Sequence, residues 1–244
     1  MNLNQSPILP QNPRPIAIIG AGGIVTNAHL PAYTLAGWKV MGVYDLDKAK
    51  SETAKAEFPI VSQTFSDLSE LIKAAVEQNA IIDLAVPADQ IIQILEQLPN
   101  GTAVLIQKPM GEALAEASEI HELCLKKKLI AAVNFQLKFA PYMLAAKDMI
   151  KQGLLGEIYD LELKVCVFTP WHLWEFLKEK PRMEVLYHSV HYLDLIRSFM
   201  GNPSRVHAST IRHPKMTELA DTRSSIILDY DEFTQARILT NHGH

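Results

Sequence analysis

The chain has 244 residues, 48% of them hydrophobic and 20% charged, with a formal net charge of −4. That length suits one large or two modest soluble domains, and the absence of any long run of one charge leaves no footprint for nucleic acid or a membrane surface. Its two cysteines, Cys124 and Cys166, fall in separate predicted elements, which excludes a disulfide framework and a Cys-x-x-Cys metal motif, and no apolar run reaches membrane-spanning length.

The cysteine usage fits a reducing cytoplasm. Residues 1–14 carry several Asn and Gln residues and prolines, without the basic start and continuous apolar core of a secretory signal; they predict a flexible arm. Ile16 to Ile19 is a short apolar run of the kind a buried parallel strand requires. It runs into Gly20-Ala21-Gly22-Gly23-Ile24-Val25, where Gly20 and Gly22 fill the first two places of the Gly-x-Gly-x-x-Gly dinucleotide pattern and Val25 fills the third. The first glycine permits the turn and the second lets backbone approach a pyrophosphate. The amides near Gly23 and Ile24, opening a helix expected over 24–35, face that charge.

Lys39 to Tyr44 reads as the second strand. Asp45 ends it, 25 residues after Gly20, where a carboxylate hydrogen-bonds the ribose hydroxyls and repels a 2′-phosphate. NAD is therefore expected ahead of NADP. A helix over 47–57 follows, capped by Asp45 or Asp47 and stopped by Pro59; another over 66–78 is capped by Ser66 or Asp67. Residues 80–86 form a buried strand in which Asp83 is expected near the strand's edge, or mid-sheet with a backbone partner. Val86 and Pro87 end that strand at the carboxyl edge of the sheet, where ligands bind in open α/β folds. A helix over 88–98, a strand over 103–106, a helix over 112–127 and a strand over 130–133 complete a doubly wound parallel sheet.

The pattern then changes. Helices over 141–152 and 184–200 alternate with strands over 157–168, 205–212, 224–229 and 234–240, which predicts a smaller α+β domain with a sheet exposed on one face. Leu186, Val190, Leu193 and Met200 are expected to share the buried face of the second helix. Asn241 to His244 follow directly on a strand, an edge that usually needs covering, so the sequence reads as a fragment.

Several stretches, taken in order, resemble the Gfo/Idh/MocA oxidoreductases. They are Gly20-Ala21-Gly22, His29-Leu30-Pro31-Ala32-Tyr33, Asp45, Gln107-Lys108-Pro109, Asn134-Phe135-Gln136, Gly153 to Ile158, His191-Tyr192-Leu193-Asp194 and Gly201-Asn202-Pro203. The resemblance implies an NAD-binding Rossmann domain over 15–134 and a partial substrate-binding and oligomerisation domain over 135–244, whose open-faced, mostly antiparallel sheet continues further in other members. It also implies a sugar or polyol substrate and a homo-oligomer when full length.

On the same resemblance, Lys108 matches the lysine that contacts substrate and cofactor, beside Gln107 where the family has Glu. His191 matches the histidine of an Asp-x-x-x-His helix motif, with Tyr187 in the aspartate's place and His188 adjacent. Gln107, Val86 and Pro87 fall among the cofactor contacts, Val86-Pro87 standing where the family has Thr-Pro. Lys138 stands where an arginine often follows Asn-x-Gln. Tyr187 and His191, one α-helical turn apart, are expected to face one cleft. A metal held by His188, His191 and Asp194 is set aside, because hydride transfer in this family needs none. The aromatic run Trp171-His172-Leu173-Trp174 suits either a sugar face or a core. The expected chemistry is hydride transfer between NAD and a secondary alcohol. The alternatives are a dinucleotide-binding regulator without turnover, or transient use of NAD in elimination or glycoside cleavage.

Overall fold

The computed structural model describes residues 2–243. Two compact units divide them: Leu9–Asn134, and residues 2–8 with 135–243.

The first unit is a six-stranded sheet in the order β3-β2-β1-β4-β5-β6, parallel throughout. Its strands are β1 (Ile16–Ile19), β2 (Val40–Tyr44), β3 (Thr64–Phe65), β4 (Ile81–Leu84), β5 (Ala103–Ile106) and β6 (Ile130–Val133). The helices are α1 (Leu30–Ala36), α2 (Lys48–Glu57), α3 (Leu68–Glu77), α4 (Ile91–Gln97) and α5 (Leu114–Lys126). Every residue of β1 is buried because alternate side chains feed two cores. Ala17 and Ile19 pack with Leu71, Ile91, Leu95 and Ile120, whereas Ile16 and Ile18 pack with Val25, Leu30, Val40 and Ala54. An apolar run with no polar alternation is what a sheet covered on both faces demands.

The helix boundaries follow local chemistry. Asp47 caps α2 by accepting from the Ala49 amide, and Asp67 caps α3 by accepting from the amides of Ser69 and Glu70. Gly37 ends α1 at φ 67°, in the left-handed region. The expected helix over 24–35 is modified. A π turn, Val25–His29, precedes α1, so the chain gains one residue per turn relative to an α-helix there. The helix expected from 112 begins at Leu114, because Gly111, at φ 84°, and Glu112 form the turn before it. Strand β3 was not legible in the sequence, since two residues carry no periodicity. Asp83 lies mid-sheet and is 1% exposed, but its carboxylate bonds to the side chains of His29 and Tyr33 rather than to backbone.

In the second unit α6 (Pro141–Lys151) starts on a proline, which is suited to the first helical position. The sheet runs β7-β10-β9-β8, with β7 (Asp160–Cys166) parallel to β10 (Gln235–Asn241) and β9 (Arg223–Asp229) antiparallel to both β10 and β8 (Arg205–Ile211). Ile226, Leu228, Ala236 and Ile238 point to one face and pack on Ile196 of α7 (Val190–Met200). Leu195 and Ile196 are the buried residues of α7. Of the four residues expected on its inner face, only Leu193 and Met200 pack on this core. A second π turn, Val185–Ser189, precedes α7 and puts Leu186 out of phase with it. The expected strand over 157–168 is trimmed to β7, and β8 is exposed on both faces rather than one.

Gly20 is the tightest backbone position in the first unit. It has φ 97°, and a Cβ there would lie 2.3 Å from the Ala85 carbonyl oxygen. Neither a side chain nor a backbone shift is accommodated, because β1 and β4 are adjacent strands. Gly20→Ala is expected to destabilise the unit by about 2–4 kcal/mol, read as a lower denaturation midpoint, whereas Gly22→Ala, with open space around its Cβ, should cost about 1 kcal/mol or less.

Candidate active site

The carboxyl ends of β1 and β4 meet where the strand order reverses, the crevice in which open α/β sheets bind ligands. The glycine turn lies there. The Gly20 amide donates to the Tyr44 carbonyl at 2.8 Å, which fastens β1 to the end of β2. Asp45 completes the fastening. Its Oδ2 accepts from the Ala21 amide at 2.7 Å and its Oδ1 from the Asp47 amide at 2.8 Å. Asp45 is thus a brace for the glycine turn as well as an acid at a strand end.

A Cβ at Gly22 would meet nothing within 4 Å, so the turn presents bare backbone. Gly23 and Ile24 are exposed, and amides in the first turn of a helix lack intrahelical partners. Bare backbone, outward amides and a nearby carboxylate fit a dinucleotide: pyrophosphate on the amides, ribose on the acid. Val86 is half-buried beside Gly20 and Pro87 is exposed.

Gln107, Lys108 and cis-bonded Pro109 follow β5, with the Gln107 amide donating to the Leu84 carbonyl at 2.9 Å. Lys108 is half-buried, and its burial pushes the amine below its ordinary value of 10.5. Gln107 Oε1 accepts from Asn134 Nδ2 at 3.1 Å. The same nitrogen is 3.1 Å from His29 Nε2, and His29 Nδ1 is 2.8 Å from Asp83 Oδ2. The Tyr33 hydroxyl donates to that oxygen at 2.9 Å. Burial first, then the Asp83 charge and this bond, push the Tyr33 hydroxyl far up. Sequence reasoning quoted His29, Tyr33 and Asn134 as motif residues but missed this chain. The signal was an acid inside an apolar strand, with a His and a Tyr four residues apart.

In the second unit His191 is half-buried and meets the Phe135 ring edge to face at 5.9 Å. Tyr187 lies in the π turn instead, against Phe176 and the cluster of Trp171, Leu177 and Met183. His188 packs on Trp171 at 4.9 Å and on His242 at 4.4 Å. Tyr187 and His188 lie within the π turn Val185–Ser189, whereas His191 lies in the first turn of α7. Trp171 is core, whereas Trp174 is 41% exposed. Lys138 pairs with Asp194 at 3.1 Å. Among the described residues no group of three His, Cys, Asp or Glu is placed to hold a metal.

Below His188 lies a second buried polar centre that the sequence did not announce. Burial alone would raise the Glu184 carboxyl, but the hydroxyls of Ser189 and Ser224, which donate to it, and the polar groups of His242, with Nε2 at 3.4 Å, and Thr240 outweigh it and hold the group below its ordinary value. It joins the π turn to the ends of β9 and β10 and reads as a packing device.

Sequence comparison places residues 14–135 in the oxidoreductase family with the NAD-binding Rossmann fold, and residues 143–243 in the GFO/IDH/MocA C-terminal domain. The chain belongs to the Gfo/Idh/MocA family. It is 30% identical over 197 residues to the uncharacterized oxidoreductase YhhX of Escherichia coli, a match covering 78% of this chain and 54% of YhhX. It is 29% identical over 149 residues to glucose-6-phosphate 3-dehydrogenase of Bacillus subtilis, covering 61% of this chain and 41% of that enzyme. The chain thus spans about half the length of these relatives. An oxidoreductase from Agrobacterium radiobacter, solved with NAD+, L-tartaric acid and magnesium, superposes with a TM-score of 0.80 at 18% identity, covering 95% of this chain and 67% of that one. The first unit is an NAD-binding Rossmann domain.

Two outcomes test this geometry. Asp45→Ala leaves the buried Ala21 amide without its acceptor, so it is expected to cost about 1–3 kcal/mol of stability as well as on the order of tenfold in NAD affinity. Denaturation and a tryptophan-fluorescence titration of the same variant measure both. The buried Lys108 amine binds its proton less readily folded than unfolded, so the unfolded chain carries more protons in the window below 10.5. Stability from this group therefore rises with pH through that window. Lys108→Met is expected to flatten the rise, seen as a loss of the wild-type gain between neutral and alkaline melts.

Proposed function

We propose that the chain is the NAD-binding and partial substrate-binding portion of an NAD-dependent dehydrogenase that oxidises a secondary alcohol of a sugar, inositol or related polyol. The observation that supports this reading best is the glycine turn braced by Asp45, in the same domain as the half-buried Lys108. Bound NAD supplies the hydride acceptor. The amides of Gly22, Gly23 and Ile24 hold its pyrophosphate, Gly20 makes the turn, and Asp45 holds the ribose and disfavours a 2′-phosphate. Val86, Pro87 and Gln107 line the same carboxyl edge of the sheet.

Lys108 donates to the substrate hydroxyl and polarises it. Its lowered affinity for its own proton makes that bond responsive to the state of the hydroxyl. His191 accepts the hydroxyl proton as the alcohol becomes a carbonyl, a task suited to an imidazole near neutral pH. Tyr187 and His188 adjoin it in sequence and bind or shape the substrate. The similarity to glucose-6-phosphate 3-dehydrogenase supports a sugar or sugar phosphate as the first substrates to try.

The test is a titration with NAD and NADP, followed by a panel of sugars, sugar phosphates and polyols monitored by nicotinamide absorbance. NAD is expected to bind more tightly than NADP. On the substrate that is turned over, Lys108→Ala and His191→Ala are each expected to lower kcat by about 10²–10⁴-fold, the contribution of a placed acid or base. Intact turnover in either variant removes that residue from the chemistry. Tight NAD binding without reduction by any alcohol favours the regulator instead.

A further inference from the structure

The hydrogen-bonded chain beneath Gln107 has a direction that chemistry fixes. Asn134 Nδ2 carries two hydrogens and can only donate. One goes to Gln107 Oε1 and the other to His29 Nε2, each at 3.1 Å. His29 Nε2 must therefore accept, so the ring hydrogen sits on Nδ1 and is donated to Asp83 Oδ2. The Tyr33 hydroxyl donates to the same oxygen. The groups that face His29 are thus Asp83 from β4, Tyr33 from α1 and Asn134 from the end of β6, with Gln107 beyond.

Asp83 and His29 are 1% and 7% exposed, and the second carboxylate oxygen, Asp83 Oδ1, is buried without a hydrogen-bond partner among the described residues. A carboxylate under-satisfied in the middle of a sheet is costly, and an aliphatic residue would fill β4 at lower cost. The orientation it imposes is the compensating gain. With Asp83 present, only one imidazole tautomer fits, only one rotation of the Asn134 amide fits that tautomer, and Gln107 must then present its oxygen.

We propose that Asp83 and His29 are positioning residues for the Gln107-Lys108-Pro109 turn. By fixing the imidazole tautomer they fix the Asn134 amide and, through it, the Gln107 side chain next to Lys108. This rests on the proposed role of Lys108. Neither Asp83 nor His29 touches substrate or cofactor in this scheme. A ligand-holding side chain is oriented by its outer partners in the same way at metal and catalytic sites.

The test uses the whole chain labelled with 15N, with two variants. Wild-type His29 is expected to show the Nδ1–H tautomer, and the Gln107 and Asn134 side-chain amides single, slowly exchanging signals. Asp83→Asn keeps a carbonyl acceptor for His29 Nδ1, so tautomer and amide signals should persist and kcat should stay within about threefold. Asp83→Leu removes the acceptor. The His29 signature should change, the Gln107 amide should shift, and kcat should fall by about tenfold or more. Should Asp83→Leu not fold, His29→Phe supplies an aromatic ring without nitrogens, and the Gln107 and Asn134 amides are expected to shift and kcat to fall by about tenfold or more.

An Nε2–H tautomer in the wild type overturns the proposal. So does a Gln107 amide that stays unmoved in Asp83→Leu, or a changed tautomer with full kcat. If the wild type turns over no substrate, the dehydrogenase reading fails, while the amide and tautomer signals still decide whether Asp83 controls Gln107.

Discussion

The carboxylate of Asp45 is the constraint on which the nucleotide site depends. It accepts from Ala21 and Asp47 together, so one side chain holds the end of β2, the start of the loop to α2 and the turn after β1. Gly20 makes this possible by taking a positive φ against the Ala85 carbonyl, where any Cβ would collide with backbone. The turn is therefore rigid before a ligand arrives. Preorganised amides lose little freedom on binding an anion, and the recognition of a dinucleotide is largely built when the sheet folds.

The nucleotide half was legible in the sequence because its signals are local. Ile16 to Ile19 is apolar throughout, Gly20 and Gly22 sit at a fixed offset, and Asp45 ends the next strand. The NAD expectation came from those residues, and the family match agrees with it. The polar chain under Gln107 was not legible, because it joins His29 to Asp83 across 54 residues and to Asn134 across 105. No window of sequence contains both partners. Asp83 lies mid-sheet, one of the two places expected, but its partner was misjudged for that reason: an acid inside an apolar strand announces that a partner exists but not which one.

The second unit was read less well. Its strands were found with shifted ends, but the inner face of the last helix was misphased because Val185–Ser189 is a π turn. Hydrophobic spacing is interpreted on an assumed α-helical period, and a one-residue excess is invisible until the backbone is seen. The Glu184 centre escaped notice because its partners Ser224, Thr240 and His242 come from strands far along the chain.

The π turn at Val25–His29 bears on how this chain can vary. A π turn holds one residue more than an α turn, so the loss of one residue from it would restore α geometry and leave the residues on either side in phase. In a regular α-helix the same loss would rotate everything beyond it by about 100°. The turn is therefore where this helix can shorten by one residue and still aim His29 at Asp83 and keep Tyr33 beside it. Among homologous sequences, single-residue length differences in this helix should gather between Gly22 and His29, and be absent from the α-helical turns after it.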